Sequence, residues 1–171
     1  KTITFDTFKN EFVIPVDMFY SKYCPNIPIN TIDEYFYKNY ISDASECKLF
    51  EGIPKLIQTL YSNNTLYILS TLDIKILNVF CEEKGIFTYF KKIIGNASNK
   101  IEALEKLLND EGLIFSETIF IGDMPHDIES AQKLKVQSGG ITYGYSDSNT
   151  INSIKPDYIF NNSSEIYNHF I

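Results

Sequence analysis

Along this chain short apolar runs alternate with longer stretches in which apolar residues recur every three to four positions. The first pattern marks strands and the second helices. Leu66-Tyr67-Ile68-Leu69 is a near-continuous apolar run of the kind found in parallel sheets covered on both faces. Thr118-Ile119-Phe120-Ile121 has the same character and is broken by Gly122. Lys92 to Ile94, the stretch from Gly139 to Gly144, and Asp157-Tyr158-Ile159-Phe160 supply further short strands. At the front, Thr2 to Phe5 reads as a strand with Ile3 and Phe5 on one face and Asp6 at its carboxyl end. Between these runs lie helices. Gly52-Ile53-Pro54 opens one whose packing face is Ile57, Leu60 and Tyr61, and Asn63-Asn64 closes it. Others span about Ile74 to Lys84, stopped by Gly85, and about Lys100 to Asp110. Another begins near Asp127, and the last runs to Phe170. Strand and helix alternating in this way predict an α/β fold, a Rossmann-like parallel sheet flanked by helices with right-handed crossovers.

One region departs from the alternation. Phe12, Val13, Val16, Phe19, Tyr20 and Tyr23 predict a helix from about Asn10 to Tyr23, with Pro15 in its first turn or kinking it. Pro25 and Pro28 end that pattern, and a second helical stretch runs from about Thr31 to Tyr40. The pair reads as a short helical cap inserted after the first strand. The expected division is therefore a core of residues 1–10 and 50–171 with a small cap of residues 11–49.

Composition narrows the class. With 171 residues, 44% hydrophobic and 15% aromatic, the chain has core material for one substantial domain and no low-complexity tract. A net charge of −7, with no basic stripe, argues against nucleic acid as a partner. Cys24, Cys47 and Cys81 form no CxxC pair. No apolar run is long enough to span a bilayer and no signal peptide is evident, so a cytoplasmic protein with no membrane association, monomer or homodimer, is the expectation.

The chemistry gathers at the predicted strand ends. Asp123 and Asp127 share the loop that follows Thr118–Ile121, and open α/β sheets bind ligands at the carboxyl ends of their strands. Two neighbouring carboxylates repel unless a cation lies between them, and a hard divalent ion such as magnesium suits oxygen ligands. The same spacing also fits an Asx turn followed by an N-capping Asp127. Ser70 and Thr71 follow Leu66–Leu69, and Lys100 opens its helix.

In chain order these residues are an aspartate after the first strand, a serine after the next, a lysine at a helix start, and Gly122-Asp123-Met124-Pro125-His126-Asp127 after a later strand. The order resembles the haloacid dehalogenase-like hydrolase superfamily, from Ile3-Thr4-Phe5-Asp6 to Pro156-Asp157-Tyr158-Ile159-Phe160. Ile121 to Ala131 and Gly140 to Tyr145 look most like its phosphoglycolate-phosphatase-like branch. The resemblance implies a magnesium-dependent phosphatase of small phosphorylated molecules. Asp6 would be the nucleophile that forms an aspartyl-phosphate. Ser70, with Thr71 as the neighbouring candidate, would hydrogen-bond the phosphoryl group, and Lys100 would neutralise it, with Lys91 or Lys92 as substitutes. The metal would be held by Asp6, Asp123, Asp127 and the main-chain carbonyl of Phe8.

The first motif departs from the family pattern Asp-x-Asp-Gly-Thr. Here Asp6-Thr7-Phe8-Lys9-Asn10 puts Phe8 where the acid–base aspartate belongs. Three alternatives follow. The chain is a binding or regulatory protein that keeps the fold without useful catalysis; it is a 2-haloacid dehalogenase, which needs no such acid; or Lys1-Thr2-Ile3-Thr4-Phe5-Asp6-Thr7 is the tail of a motif whose aspartates stand ahead of Lys1.

Overall fold

The computed structural model describes residues 2–4, 7–8, 11–12, 16–43 and 46–171, with the side chains of 41–43 excepted. It divides into two compact units, Lys1–Lys48 and Leu49–Ile171. No described helix is long and apolar enough to cross a membrane.

The first unit contains helices α1 (Val16–Tyr23) and α2 (Ile29–Asp43), in the place expected for the hairpin. An aromatic cluster holds α1 to the residues before it. Phe8 lies with ring centroids 5.0 Å from Phe12 and 5.3 Å from Phe19, and Phe19 is 4% exposed. Thr2–Thr4, expected as strand, have no strand assignment. Instead the Thr4 hydroxyl accepts the Thr7 amide at 3.1 Å, the Phe8 amide bonds the Thr4 carbonyl, and the Phe12 amide bonds the Phe8 carbonyl. A threonine hydroxyl that accepts the amide three residues on starts a helix rather than ending a strand. Phe5 and Asp6 lie outside the described residues.

The second unit is α/β, as the sequence predicts. Its order is α3 (Ile53–Tyr61), β1 (Leu66–Leu69), α4 (Ile74–Glu83), β2 (Phe90–Ile94), α5 (Lys100–Asp110), β3 (Ile119–Gly122), α6 (Pro125–Leu134), β4 (Gln137–Ile141), α7 (Ser148–Ile154), β5 (Tyr158–Phe160) and α8 (Ser163–Phe170). All pairings are parallel. β1 pairs with β2, Ile68 opposite Ile93, and β3, β4 and β5 pair in sequence, Ile121 opposite Gly139 and Gly140 opposite Ile159. Among the described residues these form a two-stranded and a three-stranded sheet rather than the single sheet expected.

The period-2 alternation of the strands decides which layer each side chain joins. On β3, Phe120 packs with Leu104 and Leu108 of α5 and Ala131 of α6. Ile121 turns to the opposite layer, where Leu56, Phe160 and Ile166 bring α3 and α8 against β5. On β1, Leu69 joins the first layer, and Ile68 joins a third cluster built on Leu77, Cys81 and Ile86. Cys81, 1% exposed, is a packing residue whose thiol burial pushes upward in pKa.

Candidate active site

The carboxyl ends of β1 and β3 carry the chemistry. β1 delivers Ser70, whose amide bonds the Ile94 carbonyl at 2.8 Å and so continues the ladder one residue past the strand. The Ser70 hydroxyl accepts the Leu72 amide at 3.1 Å, which turns the chain sharply, and Thr71 projects as an exposed residue. This turn is braced by the loop after β2. Asn96, in left-handed conformation at φ 55°, accepts the Ile74 amide on its side-chain oxygen and donates to Asp73. Gly95 is required there, because a Cβ would lie 2.7 Å from the Leu72 carbonyl oxygen.

Lys100 is the first residue of α5, behind an Asn99 cap whose side chain accepts the Glu102 amide. It is only 9% exposed. Its ammonium donates to the Leu69 carbonyl at 2.9 Å and lies 3.1 Å from Asp127 Oδ1. One buried cation thus joins the end of β1 to the loop after β3. The Phe120 ring, 5.5 Å from Lys100 Nζ, supplies a face on which the charge is favourable.

Asp123 stands on the turn between β3 and α6, and Asp127 in the first turn of α6. Asp127 is buried and closes that turn by accepting the Met124 amide on Oδ2 at 3.3 Å. Its Oδ1 makes no hydrogen bond of good geometry among the described residues, and the ion pair with Lys100 is its main partner. Gly122 leaves the room Asp127 occupies, since a Cβ there would overlap the Asp127 carboxylate. Asp123 accepts the Tyr145 amide on Oδ2 at 2.8 Å, and its carbonyl accepts the Ser146 amide. Gly144 stands to Asp123 as Gly122 does to Asp127, hydrogen in place of a clashing methyl. His126 Nε2 lies 3.5 Å from Asp127 Oδ1, and burial pushes its pKa down, partly offset by the Asp127 charge. It is therefore neutral near pH 7.

Of the residues singled out from the sequence, the structure brings Ser70, Lys100 and Asp127 together at the ends of β1 and β3, with Asp123 on the same loop as Asp127. Asp6 lies outside the described residues. Phe8 belongs to the helical unit, where its ring packs and its carbonyl accepts an amide. Lys91 and Lys92, named as substitutes for Lys100, instead pair with Glu111. The carboxylates Asp123 and Asp127 fit a hard cation in ligand type, and the ammonium of Lys100 already stands as a cation at Asp127 Oδ1. Among the described residues no group of three His, Cys, Asp or Glu side chains converges. No local pattern signals the Leu69 carbonyl as an anchor of Lys100 or Gly144 as the wall behind Asp123. Both contacts cross more than twenty residues of chain.

Comparison with known proteins bears on this arrangement. The family model for haloacid dehalogenase-like hydrolases matches residues 4–141, more than half of the chain. A 5'-nucleotidase of Pseudomonas aeruginosa is 25% identical over 133 residues, 74% of this chain and 60% of its own length. A phosphoglycolate phosphatase of Synechococcus elongatus is 25% identical over 122 residues, 70% of this chain and 58% of its own. The chain therefore spans less than two thirds of the length of these relatives. In structure, a haloacid dehalogenase-like family protein of Streptococcus pneumoniae superposes with a TM-score of 0.83 at 24% identity, covering 100% of this chain and 83% of the other. A phosphatase from Clostridium acetobutylicum, so described from prediction, gives 0.83 at 20% identity, with 99% and 82% covered. These likenesses establish the fold. The chain belongs to the haloacid dehalogenase-like hydrolase family, in its phosphoglycolate-phosphatase-like branch.

Proposed function

We propose that the α/β unit carries the phosphate- and metal-binding side of a magnesium-dependent phosphatase acting on small phosphorylated molecules. The observation that carries this reading is Lys100, a buried cation held between the end of β1 and the acidic loop after β3. Phosphoryl transfer demands charge stabilisation above all, and a fixed cation beside two carboxylates and a hydroxyl is suited to it. In this reading Ser70, with Thr71 beside it, donates to the non-bridging oxygens of the phosphoryl group. Lys100 neutralises them. Asp123 and Asp127 hold the magnesium, which when bound offsets the charge of the phosphate.

The reaction needs a nucleophilic carboxylate at the same edge. It attacks phosphorus, the ester oxygen leaves and takes up a proton, and water then cleaves the aspartyl-phosphate to regenerate the carboxylate. Asp6 is the candidate that the sequence offers. Beside it, Phe8 packs its ring against Phe12 and Phe19, which gives that position a packing reason to be aromatic.

The test pairs binding with turnover. Magnesium is expected to raise the unfolding temperature by mass action, and Asp123→Asn or Asp127→Asn to abolish the shift. Phosphate release from a panel of small monoesters, including phosphoglycolate and nucleoside monophosphates, should require magnesium and Lys100. A protein that neither binds magnesium through these acids nor binds inorganic phosphate through Lys100 is not a phosphatase of this design.

A further inference from the structure

Among the described residues, Asn96, Lys135 and Lys155 are the non-glycine residues with positive φ. Lys135 and Lys155 end α6 and α7, where a left-handed residue is an ordinary way to stop a helix. Asn96 ends no helix. It lies in the loop Gly95–Asn99 that leads from β2 to Lys100 at the start of α5, and asparagine is among the few residues with a side chain that tolerate this conformation. A backbone state of this kind persists where its surroundings demand it. For Asn96 the demand comes from the turn at the carboxyl end of β1.

That turn is tied to the loop residue by residue. The Ala97 amide donates to the Ser70 carbonyl at 3.0 Å, and the Asn96 amide to the Leu72 carbonyl at 2.8 Å. The Asn96 side chain then accepts the Ile74 amide at 3.0 Å and donates to Asp73 Oδ2 at 3.2 Å. Asp73 in turn caps α4 by accepting the Lys75 amide. Asn96 therefore grips Leu72 with its main chain and the next two residues with its side chain. The Ser70 hydroxyl depends on that grip. A hydroxyl has one hydrogen to donate and two acceptor sites. One acceptor site takes the Leu72 amide at 3.1 Å, so holding Leu72 holds the hydroxyl and leaves its hydrogen free to donate. Four residues beyond Asn96, Lys100 bonds the Leu69 carbonyl, so one short loop sets the hydroxyl and the ammonium relative to each other.

We propose that Asn96 is a positioning residue of the phosphate site: its side chain, bonded to Asp73 and Ile74, fixes the turn after β1 and so aims the Ser70 hydroxyl at the phosphoryl oxygens. The inference rests on the phosphatase reading in taking Ser70 as a phosphate ligand. A role confined to capping the first amide of α4 would use the same bonds, and would change stability while leaving phosphate binding as it is. The two roles therefore separate by experiment.

The probe is inorganic phosphate, titrated calorimetrically into the whole chain with magnesium present. Asn96→Gly removes the side-chain bonds and keeps the left-handed backbone, which glycine adopts freely. It should weaken phosphate binding by about 10- to 100-fold, the range found when a group that orients a ligand is lost. Magnesium affinity, which belongs to Asp123 and Asp127, should stay as it was. In a Ser70→Ala background the same substitution should weaken phosphate no further, because the hydroxyl it aims is gone. Asn96→Asp sets a second carboxylate against Asp73 and should also weaken binding. Pairing it with Asp73→Asn exchanges amide and carboxylate across the same hydrogen bond, and should restore the affinity. Unchanged phosphate affinity in Asn96→Gly, losses that add to those of Ser70→Ala, or no recovery in the exchanged pair would each overturn the proposal. Phosphate binding that needs Ser70 but not Asn96 sinks this inference alone. A chain that binds no phosphate at all sinks the phosphatase reading and this inference with it.

Discussion

Lys100 and Asp127 are both nearly buried, 9% and 7% exposed in their side chains, and a buried charge without its partner is costly. Lys100→Met should therefore cost about 3–5 kcal/mol, most of it the penalty of leaving Asp127 uncompensated. Adding Asp127→Asn should recover a large part of that loss, since an amide has no charge to strand. A double-mutant cycle by urea unfolding measures the coupling, and additive losses would show that the two groups are not a pair in solution. Gly144→Ala tests the other acid. Its methyl group would fall on the Asp123 carboxylate, so the side chain must move from where it is held by the Tyr145 amide. We expect magnesium affinity to fall about tenfold or more, as it does when groups that orient metal ligands are lost, with only a small change in stability. Calorimetric titration with magnesium checks this, and unchanged affinity would remove Asp123 from the metal set.

At the scale of elements, β4 and β5 are fastened by a side chain as well as a ladder. Ser138, fully buried, donates its hydroxyl and amide to Asp157 Oδ2 at 2.7 and 2.8 Å and accepts the Asp157 amide. These bonds, the hydroxyl first, hold the Asp157 carboxyl below its ordinary pKa. Asp157 is exposed and water competes for it, so Ser138→Ala is expected to cost about 1 kcal/mol rather than the value of a fully buried charged bond. It should also raise the Asp157 pKa, which NMR titration reads directly. Elements of this kind were largely legible in the sequence, because four or five consecutive apolar residues bounded by turn formers leave few choices. Ser70 after β1, Lys100 at the start of α5 and Asp123 after β3 all stand where the pattern put them. Thr2–Thr4 misled for a physical reason. Two apolar residues in alternation fit a strand or the approach to a helix equally well, and the deciding feature, the Thr4 hydroxyl meeting the Thr7 amide, is a contact rather than a pattern. The division into two sheets was not legible either, since no local run records which strand edge finds a partner.

For the whole molecule, protonation sets the window of stability. His126 has a depressed pKa because burial disfavours its charged form, so the unfolded chain binds that proton more readily than the folded one. Its contribution is complete above the ordinary histidine value of about 6.5 and is lost as pH falls below it. The carboxyls of Asp73, Asp147 and Asp157 are depressed by hydrogen bonds and act in the same direction at lower pH, each weakly because none is buried away from water. At the other end Tyr143 is raised, by burial first and then by Asp123, so its contribution is present below about pH 10 and lost as the unfolded phenol begins to ionise. The contribution of the buried Cys81 thiol, also raised, is lost earlier on that side, so the unfolding temperature should be flat between about pH 6.5 and 8.5 and fall on both sides, with the first acid loss belonging to His126. His126→Gln, which keeps a polar side chain that does not titrate, should flatten the curve between about pH 5 and 6.5 while leaving the steeper carboxylate limb below pH 4 in place. A variant whose profile still falls from about pH 6.5 would assign that loss to another group.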